Sequence, residues 1–207
     1  MKTKVMPKVI RLVMICSAAL IFLTFPGCAV QSDKMKNEQP VMAFKPVEVK
    51  ALEPGLSVRY YKRKFRHINQ MPTGEDELTQ GVAGKPILYI NHRFGSKGVF
   101  DSRRNQKVGV RLAGFLHFDQ PGVYRLRTVS NDGVEVYLHG TVVVSDPGIH
   151  TAQQKISGPI KIKRKGWYPL KIKYFQNKKS AVLRLFWQHP KSERFEAVPP
   201  EAYGHKA

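Results

Sequence analysis

The chain has 207 residues, with 35 Lys and Arg against 15 Asp and Glu and a formal net charge of +20 at pH 7. At roughly 100–200 residues per domain, this length supports one folded unit with extensions and excludes a multidomain array. The charge calls for an acidic partner: nucleic acid, an anionic membrane face or an acidic polysaccharide.

Lys2, Lys4, Lys8 and Arg11 form a basic start, and the run from Leu12 to Phe25 carries no charge. That run is shorter than the ~20 residues a membrane span needs, so residues 1–27 read as a secretory signal. Phe25-Pro26-Gly27-Cys28 resembles a bacterial lipobox, whose cysteine becomes the acylated first residue of the mature chain. Cys16 falls inside the discarded run, which leaves Cys28 without a disulfide partner in an oxidising compartment, and an acylated Cys28 needs none. Several acyl chains, at ~0.8 kcal/mol per buried CH₂, would hold the protein on a membrane. Ala29 in place of Asp after the cysteine resembles outer-membrane lipoproteins. The expected location is therefore the bacterial cell envelope, anchored to the outer membrane, and this route argues against nucleic acid as the physiological partner. Residues 28–54 lack apolar periodicity, contain Pro40, Pro46 and Pro54, and read as a flexible tether.

From Leu56 onward the chain alternates apolar and polar residues in short runs. Val108, Val110, Leu112, Leu116 and Phe118 share one parity, as do Val134, Val136 and Leu138. Ile160 and Ile162, then Leu170, Ile172 and Tyr174, then Leu183, Leu185 and Trp187 repeat the pattern. A period of two places each set on one face of a strand. Turn clusters lie between the runs at 119–122, 131–133, 146–148 and 176–180, and Asp132-Gly133 reads as a hairpin turn. The fold class is all-β, an antiparallel β-sandwich or barrel over residues 55–207. Arg111, Arg125, Arg127, Lys161, Lys163, Lys171, Lys173 and Arg184 take the other parity, so the basicity is expected on an exposed, rigid sheet face.

Gly55-Leu56-Ser57-Val58-Arg59-Tyr60-Tyr61, Val110-Arg111-Leu112-Ala113-Gly114-Phe115-Leu116, Gly122-Val123-Tyr124 and Ser130-Asn131-Asp132-Gly133 occur in order. Gly148-Ile149-His150, Gly166-Trp167-Tyr168-Pro169-Leu170 and Leu183-Arg184-Leu185-Phe186-Trp187-Gln188-His189-Pro190 follow. Together these segments resemble the PA14 family of β-sandwich domains. The resemblance implies carbohydrate binding without catalysis. In calcium-dependent members two successive Asp, joined by a cis peptide, stand where this chain has Asn131 and Asp132, and a late loop supplies a further ligand.

Calcium prefers six to eight hard oxygens with several carboxylates. Asn131 offers only a neutral carbonyl, His139 replaces another acidic residue of the family pattern, and Lys178 and Lys179 would repel a cation, although Asn177 brings an oxygen. Charge therefore disfavours calcium, and no other cofactor is expected. No G-x-S-x-G, H-E-x-x-H or phosphate-loop motif is present, and the seven His are scattered, so no catalytic role is expected. Tyr60, Tyr61, Phe65, Tyr137, Phe175 and Phe186 are candidate rings for sugar stacking. The sequence points to a non-catalytic envelope lipoprotein that binds a glycan, an anionic one, through Asn131, Asp132, His150, Asn177, Lys178 and Lys179. The alternative is an adaptor that docks on a partner envelope protein through its basic sheet face.

Overall fold

The computed structural model describes residues 41–95, 97–178 and 180–207. The signal segment 1–27, Cys28 and Lys179 lie outside the described residues. In chain order the elements are β1 (Met42–Phe44), β2 (Glu53–Pro54), β3 (Leu56–Tyr61), the single-turn helix α1 (Asp76–Thr79), β4 (Val82–Ile87) and β5 (Asn91–Gly95). Then come β6 (Val108–Phe118), β7 (Gly122–Asn131), β8 (Val134–Leu138), β9 (Thr141–Asp146), β10 (Gln153–Ile156) and β11 (Ile160–Ile162). The chain closes with β12 (Gly166–Gln176), β13 (Ala181–Gln188), β14 (Glu196–Ala197) and β15 (Tyr203–His205). Among the described residues no helix is long and apolar enough to cross a membrane.

The strands form a sandwich of two sheets. One runs β1-β11-β7-β13-β14, with β10 also on β7 and β5 on β13; the other runs β2-β15-β6-β12-β8-β9, with β3 bridging β6 and β4. All described pairings are antiparallel except β1 with β11. The period-two pattern is realised directly. Val108, Val110, Leu112, Leu116 and Phe118 of β6 are fully buried, as are Val134, Val136 and Leu138 of β8. Phe118 meets Tyr124 of the opposite layer at 4.7 Å between ring centroids and Tyr168 of its own sheet at 5.2 Å, and Trp187 packs beside both Phe118 and Tyr124. Edge-to-face contacts at such distances add about 1 kcal/mol each beyond area burial.

Two sequence expectations change here. The tether does not extend to residue 54: Met42–Phe44 pair with Ile160–Ile162, Val47 bridges Trp167, and Glu53–Pro54 pair with β15. Phe44 stacks on His139, and the His139 ring bonds to the Lys45 carbonyl at 2.6 Å. Composition reads this stretch as tether because it pairs in pieces too short to show a period.

The hairpin expected at Asp132-Gly133 is also absent. β7 pairs with β10, β11 and β13, whereas β8 pairs with β9 and β12, so residues 131–133 carry the chain from one sheet to the other.

Part of the basic face is not exposed. Arg111, Lys171 and Lys173 converge on the buried Glu77 of α1: Arg111 Nε lies 2.8 Å from Oε2, and Lys171 and Lys173 Nζ lie 2.9 and 3.0 Å from Oε1. Lys173 is only 4% exposed and also donates to the Pro72 carbonyl at 2.8 Å. The segment before α1 adds its own apolar cluster, Phe65, Ile68 and Met71 against Tyr61 and Phe175, and so covers this part of the sheet. Burial by itself raises the Glu77 carboxyl, but hydrogen bonds from Lys171, Lys173 and Arg111 outweigh it and bring the pKa from 4.5 to about 2.

Candidate functional site

The crossover is fixed from both layers. Asn131 pairs with Val182 of β13 in one sheet, while Asp132 N–H donates to the Phe175 carbonyl (3.2 Å) and Phe175 N–H donates to the Gly133 carbonyl (3.0 Å) in the other. The Asn131–Asp132 peptide is cis. Tyr174 donates its hydroxyl proton to the Asn131 carbonyl at 2.6 Å. Burial, with the Asp132 charge adding to it, pushes the Tyr174 hydroxyl well above its ordinary range, so it remains a donor.

Asp132 is 3% exposed and ties two loops to the crossover. Its Oδ1 accepts from the His150 N–H at 3.2 Å, and its Oδ2 accepts from the Asn177 N–H at 2.8 Å. The β9–β10 loop is thereby held to the β12–β13 loop through one carboxylate. The His150 ring lies 3.2 Å from Asp146 Oδ2, and Gln153 donates to both Asp146 oxygens at 3.0 Å. Gly133 completes the packing. A Cβ there would sit 2.5 Å from Phe175 Cε1 and 2.8 Å from the Pro147 carbonyl oxygen. Gly133→Ala is therefore expected to destabilise the fold by about 2 kcal/mol, the usual scale of overpacking. A thermal melt that leaves the midpoint unchanged would refute this.

Four of the six residues singled out from sequence, Asn131, Asp132, His150 and Asn177, come together here. Lys178 is exposed in the same β12–β13 loop, and Lys179 lies outside the described residues. Ile149 projects beside His150 and is 52% exposed. Five of the six proposed stacking rings do not fit their expected role, and the sixth, the half-buried Tyr137, lies under Lys171 Nζ at 4.9 Å and donates its hydroxyl to Glu135. Tyr60, Tyr61, Phe65 and Phe175 are buried in the cores, and Phe186 is covered by arginines. Period-two reading cannot separate a ring under a second layer from a ring in solvent.

The structure adds an observation that bears on a cation. Asn131 Oδ1 and Asn177 Oδ1 are buried and have no hydrogen-bond partner among the described residues. Buried carbonyl oxygens are ordinarily paired, and each orphan costs on the order of 1–3 kcal/mol. With the Asp132 carboxylate they provide hard oxygens of the type calcium takes, although with a single formal negative charge. In donor type the residues fit such an ion; in charge they are poorer than a pair of carboxylates. No group of three or more His, Cys, Asp and Glu able to hold a metal occurs among the described residues.

Comparison with known proteins agrees with this architecture. The chain is 25% identical over 145 residues to the anti-sigma-I factor RsgI3 of Acetivibrio thermocellus, a match covering 70% of this chain and 20% of that one. It therefore spans about a fifth of that curated relative. Among solved structures, an anti-sigma factor domain-containing protein superposes with a TM-score of 0.61 at 20% identity, covering 74% of this chain and 48% of the other. A PA14 sugar-binding domain from an RTX adhesin superposes with a TM-score of 0.59 at 17% identity, covering 74% and 99%. The PA14 domain model matches residues 52–200, from just before β2 to the turn that precedes β15, and the chain belongs to the PA14 domain family.

Proposed function

We propose that this protein is a non-catalytic envelope lipoprotein, acylated at Cys28 and anchored to the outer membrane, that binds a glycan at the loop end built on Asn131, Asp132, His150 and Asn177. The observation that carries this reading is the pair of unpartnered, buried amide oxygens beside a buried carboxylate at the crossover. A fold has no structural use for such oxygens, whereas a ligand does. The printed description of the RTX adhesin domain as sugar-binding supports the same ligand class. Asn131, Asp132 and Asn177 would hold calcium, which when bound offers open positions to sugar hydroxyls. The exposed Lys178, with Lys179 next to it in sequence, favours an anionic glycan.

The adaptor reading loses part of its basis, because Arg111, Lys171 and Lys173 are engaged by Glu77. The test is a glycan array probed with and without calcium, using wild type and Asn177→Ala. The Asn177 side-chain oxygen accepts no hydrogen bond among the described residues, so its removal should leave the melting temperature unchanged or slightly higher. Glycan binding should fall ~10-fold or more, about 1.4 kcal/mol. Equal glycan binding by the two proteins, or no array signal in either condition, would overturn the proposal.

A further inference from the structure

On the outward side of the β7–β13 sheet, register sets Arg184 opposite Val129, Phe186 opposite Arg127 and Gln188 opposite Arg125. The Phe186 ring is flanked by two guanidinium groups, Arg127 at 4.5 Å and Arg184 at 4.7 Å from its centroid. Arg127 also lies over the Phe195 ring, 4.6 Å from its centroid. Successive arginine levels lie two residues apart, about 6.6 Å along the strands. The first, Arg184, begins two residues from the Val182–Asn131 pair at the loop end.

These arginines lack counter-charges. No ion pair involves Arg125, Arg127 or Arg184 among the described residues. On β5 Asn91 pairs with Arg184 and on β10 Ile156 pairs with Arg127, while Ala197 of β14 pairs with Phe186 between them. Arg184 Nε donates to Asn91 Oδ1, and Arg125 has one weak bond to the Ser157 carbonyl at 3.4 Å. Arg127 Nε is buried and has no acceptor among the described residues. Burial and then the neighbouring Arg184 charge lower the Arg127 pKa. Two close guanidinium groups, one with an idle buried donor and both pinned against rings, form an arrangement that an anion would stabilise.

We propose that this face is a second binding surface, separate from the loop end, for a carboxylate-bearing polysaccharide of the polyuronate class. Guanidinium groups held over rings keep their terminal N–H groups for other partners, and a planar carboxylate matches two such donors at once. The ladder of levels along the strands suits a linear polymer that presents carboxylates in succession better than it suits a single small anion.

The experiment measures affinity for alginate, with dextran as neutral polymer and polyphosphate as non-carboxylate polyanion, at two salt concentrations. Wild type is expected to bind alginate more tightly than polyphosphate. Arg127→Gln/Arg184→Gln should lose at least ~10-fold in alginate affinity, the scale of losing a charge-assisted pair. Arg127→Lys/Arg184→Lys keeps the charge but loses the fork and should not restore binding. Asn177→Ala should leave alginate affinity within about twofold, which separates failure here from failure at the loop end. Should the double variants not fold, Arg125→Gln, whose side chain is exposed, should still weaken alginate ~3-fold. Unchanged alginate binding in whichever arginine variant folds, full rescue by lysine, or equal affinity for polyphosphate would overturn the proposal.

Discussion

Glu77→Gln is expected to cost about 3 kcal/mol of folding stability at neutral pH, the value of moving a carboxyl from 4.5 to about 2 at 1.36 kcal/mol per tenfold. The amide keeps the volume but leaves Arg111, Lys171 and Lys173 converging on a neutral group, and Lys173 has no route to water. Breaking a buried pair from one side leaves uncompensated charge, which costs about 3–5 kcal/mol in comparable sites. The sign of the pH dependence follows. The folded pKa lies below the unfolded one, so the stabilisation is fully present above about 4.5 and is lost as pH falls toward about 2. Denaturant titrations should show wild type weakening through that window and the Gln variant lacking that loss. Parallel acid curves for the two proteins would show that Glu77 is not the group responsible.

Asp132→Ala is expected to be similarly costly, about 3 kcal/mol, because two backbone N–H groups, of His150 and Asn177, lose their acceptor in a buried place. The loss should be local before it is global. Hydrogen exchange at the His150 and Asn177 amides should accelerate in the variant, while the β6 and β12 amides keep their protection. Unaltered exchange at those two positions would mean that the carboxylate does not hold the loops.

The core was legible because alternation is a local signal. Val108 to Phe118 and Leu170 to Tyr174 announce their buried parity without knowledge of their neighbours, and the structure buries them as written. The site was legible residue by residue, since Asn131, Asp132, His150 and Asn177 stand in motif-like segments, but its wiring was not. Asp132-Gly133 carries the residues of a tight turn, and only the pairing of β8 with β12 shows that the chain changes sheet there. Glu77 left no trace at all, since its partners stand 34 and 94 residues away and one acid in a polar segment looks solvated. The arginine ladder was half visible. Parity gives the outward face, but the stacking on Phe186 and Phe195 requires strand order and the position of β14.

The crossover also has a mechanical meaning. Three residues join one sheet to the other, and the Asp132 carboxylate clamps the loops on either side of them. A load on a ligand held there enters both layers at once, instead of peeling a single edge strand from its neighbour. Occupancy and cohesion of the sandwich therefore rise together: ligand at a hundred times its dissociation constant adds about 2.7 kcal/mol to the folded state. A domain wired this way grips hardest when it is most firmly folded.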